Sequence, residues 1–143
     1  MPLLDPAILE RQASARAPRS LSDGQRAVLK RAELLDPDDR LLVRLAVHNG
    51  VSRRQLAQMF HQQPGSVTRR LQRLGARLND PLVVALLEPR CPLPPEYRQL
   101  GVEHFLQGRT MRELADAHRM TLSEVRRMIA YLRGWHRGVS CAK

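Results

Sequence analysis

The sequence predicts an all-α fold, on three observations. Only five of its 143 residues are aromatic (Phe60, Tyr97, Phe105, Tyr131 and Trp135), so the apolar share rests mainly on Leu, Val and Ala. Runs of alternating β-branched and aromatic residues, the mark of strands, are missing. Apolar residues instead recur at helical spacing between prolines, glycines and capping residues.

The third observation repeats itself along the chain. Shifted by 58 residues, segment 35–77 aligns with 93–135 without a gap. Eleven of the 43 pairs are identical, among them Pro37/Pro95, Gly50/Gly108, Leu56/Leu114, Ala57/Ala115, Val67/Val125 and Arg69/Arg127. A chain this rich in Leu and Arg gives roughly three or four such pairs by chance.

Each copy is predicted to form three helices. The first opens at Pro37 or Pro95, since proline suits a first turn whose N–H groups lack intrahelical partners. It stops at Gly50 or Gly108, where a left-handed cap is expected. The second opens with Ser52-x-x-Gln55 or Thr110-x-x-Glu113, a hydroxyl and a side chain three residues on that satisfy free N–H groups. The third opens at Gln63-Pro64 in one copy and at Thr121-Leu-Ser-Glu124 in the other. The paired Leu-Ala of the second helix leaves room for the third to cross closely. This organisation predicts two tandem helix-turn-helix units, at 35–78 and 95–137. Before them lies 1–34, a polar, Arg-rich, weakly ordered stretch with an extra helix over 21–35. Between them, 79–94 is expected to be a linker, with a short helix or turn at 82–87 and an extended proline-rich part over 89–95. Residues 138–143 are expected to be a frayed tail.

Charge points to a partner. The formal net charge is +10, and arginine supplies 22 of the 24 basic residues. Such a balance favours a polyanion, because cationic side chains neutralise phosphates and release counterions. In the third helices, Val67, Leu71, Leu74 and Leu78, and then Val125, Ile129 and Leu132, with His136 next in the series, mark the inward face. The opposite face offers an Arg-rich surface suited to the major groove, where Arg pairs with guanine and Gln with adenine. The candidate DNA-binding residues are Gln63, Ser66, Thr68, Arg69, Arg70, Gln72, Arg73 and Arg77 in the first copy. In the second they are Arg119, Ser123, Arg126, Arg127, Arg133 and Arg137. Glu124 is assigned to its cap rather than to a base.

Segment 93–135, LPPEYRQLGVEHFLQGRTMRELADAHRMTLSEVRRMIAYLRGW, resembles region 4, the C-terminal promoter-reading domain of sigma-70-family sigma factors. The shared pattern is a Pro-led helix, a Gly stop, a Thr-capped helix with Leu-Ala, and an Arg-rich Ser-Glu-Val helix. Segment 36–74 is similar but more divergent. The resemblance implies binding to a promoter-like DNA duplex, with RNA polymerase as a further partner. Two departures stand out. His61 and Arg119 occupy the turn position that often holds glycine, and no aromatic-rich acidic segment for melting DNA is seen, so a sigma-like regulator is expected rather than a full initiation factor.

Other chemistry is not indicated. The five histidines form no His-Glu-x-x-His pair, Cys91 and Cys141 lack zinc-ligand spacing, and no Gly-rich phosphate loop or nucleophile–base pair is present. The expectation is a non-enzyme without cofactor or metal, cytoplasmic, with two free thiols and no membrane association. One competing reading is a protein-interaction module docking on RNA polymerase or another regulator through 82–87 and Trp135. A third is the DNA-binding part of a recombination or packaging system.

Overall fold

A computed structural model of the chain describes residues 20–141; the expectation for 1–19 and the last two residues lie outside the described residues. Among the described residues the fold is all-helical, without strands. The order is α1 (Asp23–Ala32), α2 (Pro37–Val47), α3 (Arg53–Met59) and α4 (Pro64–Leu78), then α5 (Pro81–Leu87), α6 (Pro95–Gly101), α7 (Met111–His118) and α8 (Leu122–Cys141). Helix α6 passes directly into a wider π-helical turn at Val102–Leu106. Contacts divide the chain into two compact units, Met1–Ala76 and Arg77–Lys143.

The repeat holds at the level of single hydrogen bonds. Val51 N–H donates to the Leu45 carbonyl at 3.0 Å, and 58 residues on Arg109 N–H donates to Glu103 at 3.0 Å. These bonds close the C-termini around Gly50 (φ 61°) and Gly108 (φ 75°), both left-handed as the stop signal requires. Ser52 and Thr110 accept from the N–H groups of Gln55 and Glu113, each at 3.2 Å. The Thr121–Glu124 box also forms, in both directions.

The turn before the third helix closes identically, by Gln62 N–H to Ala57 and Met120 N–H to Ala115, both 2.9 Å. His61 and Arg119 sit there at φ 53°, so the glycine conformation is kept without glycine. A Cβ-bearing residue in this region costs roughly 1–2 kcal/mol. The strain is tolerated because the flanking helices hold the turn from both sides.

The structure lengthens the repeat. α1 opens after Ser22, whose hydroxyl accepts from Gln25 N–H, and α5 opens after Asp80, whose carboxylate accepts from Leu82 N–H. Ser22 and Asp80 are again 58 residues apart, so each copy has four helices. The extra N-terminal helix and the expected linker are therefore corresponding elements. Stretch 79–94 is not a free tether: Leu82, Leu86 and Leu93 lie in the core of the second unit, and a turn at Glu88–Cys91 folds the proline-rich part. Burying a leucine stabilises by about 1.5–3 kcal/mol, so these three side chains tie the stretch to the second unit. The expected fray after 137 is also corrected, since α8 continues to Cys141.

The first unit buries Leu42, Leu45, Leu56, Val67 and Leu74. The second packs Leu100, Leu114, Val125, Ile129 and Leu132 around α5, with Trp135 and the free thiol of Cys91 against this core. Gly101 is required there: a Cβ on it would stand 2.6 Å from Leu86 Cδ1 and 3.0 Å from Leu132 Cδ1.

Candidate nucleic-acid interface

In the first unit, α3, a four-residue turn and α4 present the candidate surface. Val67 and Leu74 turn inward, and the residues most distant from them around the helix are Gly65, Arg69, Gln72, Arg73 and Ala76, all exposed. Helical side chains lean towards the N-terminus. Accordingly, Arg69 reaches back along α4, with one guanidinium nitrogen 3.4 Å from Ser66 Oγ and another 3.8 Å from where a Gly65 Cβ would stand. Thr68 turns its hydroxyl to the Pro64 carbonyl at 3.0 Å, and Gln63 is exposed just ahead of the helix.

Two further candidate arginines are engaged by residues distant in sequence. Arg70 donates from Nε (2.9 Å) and a terminal nitrogen (2.7 Å) to Asp39 Oδ1 on α2, with both side chains about four-fifths buried. Arg77, the first residue of the second unit, lays its guanidinium over Gly108, where a Cβ would stand 2.5 Å from its nearest nitrogen. These are packing roles, and sequence spacing gave no sign of either: the Asp39 pair spans 31 residues.

In the second unit, α8 exposes Ser123, Arg126, Arg127, Ala130, Gly134 and Arg137, and Arg119 is exposed in the turn. Arg133 lies over the Phe105 ring, 5.6 Å from its centroid. Tyr131 stands where the first copy has Arg73; it is 54% exposed and meets Tyr97 at 5.2 Å between ring centroids. The outward face shared by both copies therefore reduces to Arg69 and Arg127.

The two copies also differ in charge. Residues 40–79 hold eight arginines and no Asp or Glu, whereas the corresponding 98–137 hold eight arginines with Glu103, Glu113, Asp116 and Glu124. The signal was present as an uninterrupted acid-free run. Of the surfaces expected for protein docking, Leu82, Val83 and Leu86 are buried, while Val84, Ala85, Leu87 and Trp135 are partly buried.

Among the described residues, no group of three His, Cys, Asp or Glu side chains is placed to hold a metal, and no helix is long and apolar enough to cross a membrane. No protein-family model, curated protein or solved structure matches the chain.

Proposed function

We propose that the chain binds double-stranded DNA through tandem helix-turn-helix units, as a cytoplasmic transcription regulator of the sigma region 4 type, with the first unit supplying most of the affinity. The observation that carries this reading is the acid-free arginine field of residues 40–79, with Arg69, Gln72 and Arg73 on one exposed face of α4. That helix would enter the major groove, where Arg and Gln pair with purine edges in bidentate fashion. Arg53, Arg54 and their neighbours would meet phosphates. The second unit adds Arg126, Arg127 and Arg137 under a weaker positive field.

The test is duplex binding by fluorescence anisotropy across salt concentrations. The affinity should fall with a log–log slope of about −0.9 per phosphate neutralised. Arg69→Ala should cost about 1–3 kcal/mol and relax base preference, while Arg127→Ala should cost less. A flat salt response would sink the proposal.

A second reading is favoured by Tyr131. An exposed tyrosine where the first copy has arginine suits a protein partner such as RNA polymerase, since aromatic residues are enriched in interfaces. Loss of polymerase binding in Tyr131→Ala, with duplex affinity unchanged, would assign the second unit to that role.

A further inference from the structure

Gly65 is a glycine that the fold does not require. It is exposed in the first turn of α4, and it is not at positive φ. Beyond its chain neighbours and the backbone of α4, a Cβ there would come within 4 Å of one atom, Arg69 Nη1 at 3.8 Å. That is an ordinary contact, so alanine would fit. Alanine would also be the better helix former, because glycine loses more backbone freedom on folding. Close packing explains Gly101 and a left-handed cap explains Gly108; neither explains Gly65.

The residue lies on the outermost line of α4. Gly65, Arg69 and Ala76 stand about 160–200° around the helix from the buried Val67. Arg69, one turn on, folds its guanidinium back over the bare backbone at Gly65, and its Nη2 donates to Ser66 Oγ at 3.4 Å. An arginine held in place before contact loses less side-chain freedom on binding. The second copy has neither feature. Ser123 replaces Gly65 and Glu124 replaces Ser66, and that carboxylate instead accepts from Thr121 N–H at 2.8 Å.

We propose that Gly65 determines specificity: its bare backbone is where a base edge packs on α4, and Ser66 is a positioning residue that aims Arg69 at the guanine of that base pair. Glycine lets a backbone approach a ligand closely, and guanine offers arginine two acceptors in the major groove. This inference rests on the duplex-binding reading and deepens it. It names a guanine as the contact and the first turn of α4 as the point of closest approach.

The test takes the full chain, enriches duplexes from a randomised pool, and measures anisotropy on the enriched duplex and its single-base variants. The unchanged chain should prefer guanine at one position, and Arg69→Ala should lose that preference. Gly65→Ala should raise the thermal midpoint by about 2 °C yet weaken the enriched duplex about tenfold. Gly75→Ala serves as the control. It lies in the same helix, about 80° from Val67, with nothing within 4 Å of a new Cβ. It should raise the midpoint similarly and leave affinity unchanged. Ser66→Ala should cut the guanine preference about fivefold with the salt slope unchanged. Absence of any enriched sequence or salt-dependent binding in the unchanged chain would remove the duplex reading and this inference with it. Guanine-selective binding that survives Gly65→Ala at full strength would overturn this inference alone. So would a Gly65→Ala chain that loses stability and affinity together, or a Ser66→Ala chain that keeps the full preference.

Discussion

In the first unit, Asp39 of α2 holds Arg70 of α4; in the second, the same two positions are Tyr97 and Met128, both packed on the apolar core. The reverse exchange occurs one helix on. His118 Nε2 of α7 meets Glu103 Oε2 at 2.7 Å in the π-helical turn, where the first unit has Phe60 and the fully buried Leu45. One scaffold therefore carries its cross-helix polar pair at different joints. The lesson is that caps and turn bonds define the fold, while each copy chooses independently which helix contacts are polar. The same freedom lets the first copy keep residues 40–79 free of acids while the second packs α5 into its core.

The contrast can be broken most severely at Gly101, whose counterpart is the buried Val43. Gly101→Val should destabilise the second unit by about 3 kcal/mol, because Leu86 and Leu132 cannot withdraw from a packed core. Thermal unfolding measures this, and a neutral result would show that α5 does not press on α6 as described.

The Glu103–His118 joint should respond next. Glu103→Leu and His118→Phe should each cost about 1 kcal/mol, since each leaves a part-buried polar partner unmatched. The double variant restores the first unit's pair and should cost less than the sum of the two. Additive losses in a double-mutant cycle would argue that the two copies are not interchangeable there.

A smaller effect, of opposite sign, is expected at His136. It continues the inward series of α8, its Nδ1 is buried without a hydrogen-bond partner, and its counterpart is the buried Leu78. His136→Leu should stabilise by about 1 kcal/mol in chemical denaturation. The smallest change is Arg119→Gly, which relieves a left-handed arginine but loosens the unfolded chain, for a net gain of about 0.5 kcal/mol. If stability falls instead, the Arg119 side chain makes a contact that outweighs its backbone strain.

Much of this was legible in the residues, and the boundary follows the range of the interaction. The helix starts at Pro37, Ser52, Pro64, Pro95, Thr110 and Thr121, the glycine stops, and the inward faces of α4 and α8 were all readable, because caps and periodicity act over three to six residues. The candidate surface was legible as a list of arginines but not as a geometry. Arg70 and Arg77 looked equivalent to Arg69 and Arg73 until their packing partners, distant in sequence, were in place.

By itself, then, the sequence determined an all-α chain with a 58-residue repeat, its caps and its strong positive charge. Tertiary structure decided that α1 and α5 are the same element in two copies, since one is polar and the other apolar, and their match rests on cap bonds 58 residues apart and on their placement ahead of α2 and α6. It also decided which arginines stay exposed. Those outcomes depend on which helix covers which. That choice is set by the whole buried surface and not by neighbours along the chain.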